Sequence, residues 1–263
     1  MPVHEIARPA EIVLVRSGDC IAADSVPGQA VRDKSMRRER SHEVELTDHG
    51  MEQALLTGRH LAAHHGYFDA VFVSPWRRAT HTLELLLDAY PLSERARLER
   101  ETRLDERLRD RDPGIIAFMD RDDIARHHPE ELRRLDIEGP YFYRPSGGES
   151  WADVTMRCYS IINTIFRDRP DQRILVVTHG LVILSFRKVL ERVTHERIVE
   201  MTEYDLPLTC SISRFEPLPG HIEGGRMALV EWNTIPYGAE YDSASVGLEQ
   251  YVASFRDWRL NLM

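Results

Sequence analysis

Two segments of the same form constrain this chain most. The first is Glu11-Ile12-Val13-Leu14-Val15-Arg16-Ser17-Gly18, and the second is Arg173-Ile174-Leu175-Val176-Val177-Thr178-His179-Gly180. Each is a short aliphatic, β-branched run halted by a polar or titratable residue and a glycine. Such runs read as strands buried on both faces of an α/β sheet. The carboxyl end of such a strand is where open α/β sheets hold their ligands. Side by side, the two strands would bring Arg16, Ser17 and His179 into one crevice.

The rest of the chain supplies elements to cover such a sheet. Residues 19–45 form a long aperiodic connection whose charge run, Asp33 to Arg40, is either a solvated face or a basic flap over an anionic ligand. Thr47 is a credible N-cap for a helix with a stripe of Met51, Leu55, Leu56, Leu61 and Ala62, closed by Gly66. Ala70 to Val73 reads as a second buried strand. Ser74-Pro75 then leads into a helix through Leu83, Leu86 and Leu87. Arg77 and Arg78 therefore fall at a helix N-terminus, where backbone N–H groups favour an anion. Leu104 to Asp112 alternates in charge, and a salt-bridged surface is its simplest reading. Within 113–147, helices are expected near Arg121 to His127 and Pro129 to Leu135, before the aromatic run Tyr141-Phe142-Tyr143, for which packing is favoured over ligand stacking.

Ser150 to Asp153 has the form of a capping box, opening a helix to about Arg167 with Val154, Cys158, Ile161, Ile162 and Ile165 inward. Helices from Leu181 to Leu190 and Glu196 to Met201 follow the second motif. Cys210 to Phe215 and Met227 to Trp232 alternate as two strands would, in an antiparallel pair. Residues 247–260 read as an amphipathic helix that packs on the domain or on a second copy, as in a homodimer. The whole chain, 1–263, is read as one domain.

Composition removes several classes of function. A net charge of −9 argues against a general nucleic-acid surface, which needs a basic footprint. The three cysteines, Cys20, Cys158 and Cys210, are scattered without metal-ligand spacing, so a reducing compartment, no structural zinc and no cofactor are expected. Met1 to Pro9 has no apolar core and no run reaches the roughly 18 apolar residues of a spanning helix, so a cytoplasmic protein without membrane contact is expected.

The ordered set Arg16-Ser17-Gly18, Ser74-Pro75-Trp76-Arg77-Arg78-Ala79, Leu104-Asp105-Glu106-Arg107, Gly148-Glu149-Ser150 and Thr178-His179-Gly180 resembles the histidine phosphatase superfamily, which includes the phosphoglycerate mutases. Leu46 to Ala54 is similar to the start of that family's first helix, and Tyr141 to Val154 to its plant and fungal broad-range acid phosphatases. The resemblance covers residues 10–215. It implies a three-layer α/β/α fold with a mostly parallel central sheet, a substrate-selecting lid at 113–147, and a phosphorylated or otherwise anionic small-molecule ligand. It also implies roles: phosphate binding for Arg16, Gly18, Arg78 and Gly180, less firmly a substrate contact for Arg107, a general acid in Glu106, and a catalytic contribution from His179.

One departure lies at the centre of the pattern. The family's nucleophile is a histidine between the first arginine and glycine, and Ser17 stands there; an asparagine common six positions later is Ala23. A serine hydroxyl needs a general base, for which His179 is the obvious candidate. Three readings stay open: an enzyme with weak or altered phosphoryl chemistry, a non-catalytic phospho-ligand binder, and an ordinary phosphomonoesterase carrying an inactivating substitution. Cys20 and Ala23 weigh against a single engineered change. Retention of Glu106 tips the reading toward an enzyme.

Overall fold

A computed structural model describes residues 8–20, 42–202, 205–218 and 227–237. The run 33–40, Ala23 and the expected helix at 247–260 lie outside the described residues. Among these residues, six strands form one sheet: β1 (Glu11–Arg16), β2 (Ala70–Val73), β3 (Thr102–Leu104), β4 (Arg173–Thr178), β5 (Ile212–Pro217) and β6 (Met227–Thr234). Their spatial order is β3-β2-β4-β1-β5-β6. The first four are parallel, and β5 and β6 add an antiparallel edge. β1 and β4 are neighbours in register, with Arg16 opposite Thr178, so the two motifs end side by side as expected.

Among the described residues the α-helices are α1 (Asp48–His60), α2 (Arg77–Leu87), α3 (Leu92–Glu101), α4 (Arg121–His127), α5 (Pro129–Phe142), α6 (Trp151–Asp168), α7 (Gly180–Glu191) and α8 (His195–Met201). Strand alternation divides the core into two layers. Ile12, Leu14, Ile174 and Val176 face α6 and α7, where they meet Ile161, Ile165, Ile183 and Phe186. Val13, Val15, Leu175 and Val177 face the other way, onto Leu83 and Leu86 of α2 and Leu98 of α3. This is the three-layer α/β/α arrangement. Among the described residues, no helix is long and apolar enough to cross a membrane.

Local chemistry accounts for the helix boundaries. The Thr47 side chain caps α1 through Gly50 N at 3.0 Å. Ser150 and Asp153 form the full capping box of α6, whose five expected inward residues are all buried. α1 departs from its expected face. Its buried residues are Gly50, Gln53, Ala54, Thr57 and Gly58, while Met51, Leu55 and Leu56 are only partly buried. The reason is close approach to α2: a Cβ on Gly58 would lie 2.5 Å from the Leu86 carbonyl oxygen, so small residues, not large apolar ones, make this contact. α1 then continues as a π-helical turn, Leu61–His65, before Gly66 ends it at φ 69°. Tyr141 packs on Trp151 and His195, and the Tyr143 hydroxyl donates to Glu131, so two of the three aromatics pack as favoured, while Phe142 is exposed. α3 and β3 carry too few apolar residues to stand out in the sequence, and β3 is a three-residue edge strand.

Candidate functional site

Three parallel strands end at one edge of the sheet, and the next residue of each is polar: Ser17 after β1, Ser74 after β2 and His179 after β4. The strand ends are bonded together, with Ser17 N donating to Thr178 O at 2.7 Å and Ser74 N to Val177 O at 3.0 Å. His179 is buried and its Nε2 lies 2.7 Å from Ser74 Oγ. Trp76 N donates to that same oxygen at 3.3 Å, leaving the Ser74 proton for His179. His179 Nδ1 faces Asp110 Oδ2 at 3.7 Å and has no hydrogen-bond partner among the described residues. A carboxylate facing Nδ1 assigns the proton to that nitrogen.

Two arginines complete the cluster. Arg16 runs alongside Gly180, where a Cβ would sit 3.5 Å from Nε, and its Nη1 donates to Pro207 O at 2.5 Å. Arg78, in the first turn of α2, is buried, lies 4.5 Å from the centre of the Trp76 ring, and donates to Asp110 Oδ2 at 2.7 Å. Arg77 instead points to Glu45 at the surface.

Burial holds His179 well below its ordinary pKa, with Arg78, Arg157 and Arg16 adding to the effect and Asp110 opposing it. Burial alone would raise Asp110, but its coupling to the His179 ring, the Arg78 charge and the Arg111 N–H outweigh it and hold the carboxyl low. Asp110 is therefore an ionised group between an arginine and a neutral imidazole. This has a consequence for stability. The unfolded chain takes up the His179 proton near pH 6.5 and the folded chain does not. Stability from this group is present above pH 6.5 and is lost as pH falls below it, by up to about 1.4 kcal/mol per pH unit. Urea unfolding at pH 7 and pH 5 checks this: the acid loss should shrink in His179→Gln, leaving a residue from His60 and His65, which burial shifts the same way.

The structure brings Arg16, Ser17, Arg78, His179 and Gly180 together, but not Glu106 or Arg107. Glu106 is exposed in a short 3₁₀ turn, and Arg107 is turned onto α6, donating to Asp105, Ser160 and Thr164. The reason is a four-residue offset. Leu104 is 65% exposed, whereas Leu108 is fully buried and its carbonyl accepts from Thr178 Oγ1 at 2.8 Å, beside His179. Leu108 is thus the leucine that enters the core, and the triplet Leu108-Arg109-Asp110 sets the partly buried Asp110 beside Arg78 and His179. A second Leu-x-acid triplet was the available signal, and the density of charge obscured it.

Gly148-Glu149-Ser150 acts through this loop. Glu149 pairs with Arg109 and with Arg157, and Arg157 donates to the Arg107 and Asp110 carbonyls at 2.7 and 3.1 Å. Gly18 also differs from expectation. Its N–H is bonded to Thr82 Oγ1 at 3.0 Å, so it is not free for a ligand, and a Cβ there would lie 2.6 Å from Gly50 O. Gly180, by contrast, opens α7, whose first-turn N–H groups have no intrahelical acceptor.

With Arg16, Arg78 and a histidine set at the ends of parallel strands, the arrangement matches a known family. The model of the histidine phosphatase superfamily, branch 1, matches residues 13–235. The chain belongs to the histidine phosphatase superfamily. Among curated relatives, a 2,3-bisphosphoglycerate-dependent phosphoglycerate mutase of Rhizobium rhizogenes is 33% identical over 159 residues, 60% of this chain and 72% of the mutase. Solved superfamily folds that resemble this one include the alpha-ribazole phosphatase of Shigella flexneri, at TM-score 0.66 and 20% identity over 87% of this chain and 98% of that one. Another is a mycobacterial glucosyl-3-phosphoglycerate phosphatase in complex with inorganic phosphate, at TM-score 0.62 and 22% identity over 86% of this chain and 98% of that one. Phosphoryl transfer is the chemistry of these relatives.

Proposed function

We propose that this chain binds a phosphorylated small molecule between Arg16, Arg78, His179 and the N-terminus of α7, and that it turns phosphomonoesters over weakly or by altered chemistry. The observation that carries the reading is the half-buried Arg16 and the buried Arg78 beside a neutral His179 whose Nδ1 has no hydrogen-bond partner among the described residues. Arginine forks match phosphate oxygens with charge-assisted bonds, and the unsatisfied Nδ1–H supplies one more donor. The phosphate complex of the mycobacterial relative supports an anionic ligand in this family of folds.

Ser17 takes the position of the family's phospho-accepting histidine. Its hydroxyl makes no hydrogen bond to a described residue. The expected base, His179, already holds Ser74 through Nε2, so Ser17 lacks the nucleophile-base pair that hydroxyl attack needs. Cys20 is no ready substitute, because burial raises its thiol pKa despite Arg78. This favours slow turnover of p-nitrophenyl phosphate. The non-catalytic phospho-ligand binder is the second reading, favoured by the same missing pair. Residues 113–147, as a lid, would select the ligand.

Asp110 takes the acid role in place of Glu106. Its carboxylate accepts from Arg78. A bound phosphate dianion would draw Arg78 away and raise the Asp110 pKa by like-charge repulsion, preparing it to protonate a leaving oxygen. Asp110→Asn should therefore tighten inorganic phosphate binding several-fold by calorimetry while leaving hydrolysis no faster. Weaker phosphate binding in this variant would remove Asp110 from the site.

A further inference from the structure

The opposite end of the sheet carries a second cluster that phosphate chemistry does not use. β1 begins there at Glu11, five residues and about 16 Å from Arg16. The end of α1 and its π-helical turn bring His60 and His65 against Glu231 of β6, and one ligand atom from each lies within 4.8 Å of the other two. His65 Nε2 is 3.7 Å from Glu231 Oε2. All three side chains border a cavity of about 350 Å³, which Glu11, Arg173 and Arg214 also line.

We propose that His60, His65 and Glu231 form a binding site for a divalent transition-metal ion of the zinc class. Two imidazole nitrogens and one carboxylate are the donor set that suits zinc and its late first-row neighbours, not magnesium or calcium. A tetrahedral zinc site places its donor atoms about 3.3 Å apart at bond lengths near 2.0 Å. The three donors lie within 4.8 Å of one another, so binding would draw them in by up to about 1.5 Å, with a solvent molecule in the fourth position.

The two arginines do not turn this into an anion site. Arg173 donates to Glu11 at 2.6 and 2.9 Å, to Tyr67 O at 3.0 Å and to His65 O. Arg214 is held by Glu216, by Glu231 at 3.4 Å and by Glu11 at 3.9 Å. Glu11 and Glu216 match the two guanidinium charges even with Glu231 given to the metal, and the His60 and His65 ring nitrogens make no hydrogen bond to a described residue. The π-helical turn has a use here: it spaces two histidines of one helix end toward the same strand, in a conformation often found at functional sites. The bound ion would clamp the end of α1 to the edge strand β6.

Zinc chloride titrated into metal-stripped protein, against a chromophoric chelator, tests the site. One equivalent should bind with micromolar or tighter affinity, and the melting midpoint should rise with zinc but not with magnesium. Cobalt chloride should give the visible absorption of a low-coordinate site. His60→Gln, His65→Ala and Glu231→Gln should each weaken zinc binding by about tenfold or more. Far-ultraviolet dichroism verifies that each variant is folded. Phosphate binding at the Arg16 edge should be unchanged in His60→Gln. Absence of stoichiometric zinc in the parent, or equal affinity in the folded His60→Gln and Glu231→Gln variants, overturns the proposal.

Discussion

Replacing Ser17 by histidine is expected to raise p-nitrophenyl phosphate hydrolysis by about two orders of magnitude or more over the unmodified chain. The expectation rests on what already surrounds position 17. Ser17 N is fixed to Thr178 O at the join of β1 and β4, so any side chain there starts from a backbone tied to the strand that delivers His179. The flanking Arg16 and the buried Arg78 remain to hold the phosphoryl oxygens, and Asp110 remains to protonate the leaving group. An imidazole needs no base, because it attacks through a free lone pair. Ser17 has a proton to lose and no described group to take it. The measurement is an initial-rate assay of the two proteins side by side, with Asp110→Asn added to the histidine variant. In that background the loss should be larger for an alkyl phosphate than for p-nitrophenyl phosphate, whose leaving group needs less proton donation. If Ser17→His leaves the rate unchanged while phosphate still binds, the site serves binding, and the second reading holds.

Much of this architecture is legible in the sequence because period and punctuation agree there. The β1 and β4 runs are apolar throughout, and a strand apolar on both faces has to lie in the middle of a covered sheet. α6 is legible for the same reason, with a capping box at one end and a regular buried stripe. α1 is misread because its buried face is set by a close helix–helix contact at Gly58, where size decides and hydrophobicity does not. In the site, residues at strand ends are legible and residues in loops are not. Arg16 and His179 are located by the strands before them. Asp110 lies in a charged stretch where two Leu-x-acid triplets are equivalent on paper, and only burial of Leu108 over Leu104 separates them. Ser74 and Thr82 were invisible as partners, since their roles are hydrogen bonds across elements far apart in the chain. The metal-binding proposal was missed for a related reason. Cysteine spacing was informative about zinc only by its absence, and the histidines of α1 need β6 for their third ligand.

Arg78→Ala is expected to lower the affinity for inorganic phosphate by about tenfold to a hundredfold, the scale of one charge-assisted contact to a buried anion. Arg78→Lys should recover little of it, because the ammonium lacks the planar fork that stacks on Trp76 and spans two oxygens. Some loss of folding stability should accompany Arg78→Ala, since the Asp110 carboxylate keeps His179 nearby but loses its cationic partner. Two control variants make the comparison specific. Arg107→Ala removes an arginine that Asp105, Ser160 and Thr164 hold on the α6 side, and Glu106→Gln alters an exposed carboxylate. Both should leave phosphate affinity within about twofold of the parent, because neither side chain touches Arg16, Arg78 or His179 among the described contacts; exposed charges contribute little at this range. Calorimetric titration of the four variants separates the alternatives. Loss confined to the position 78 variants supports the Arg16–Arg78–His179 cluster as the anion site and Leu108-Arg109-Asp110 as the triplet beside it. A loss in Arg107→Ala or Glu106→Gln as large as in Arg78→Ala would return the ligand to the Leu104-Asp105-Glu106-Arg107 register and remove Asp110 from the proposed acid role.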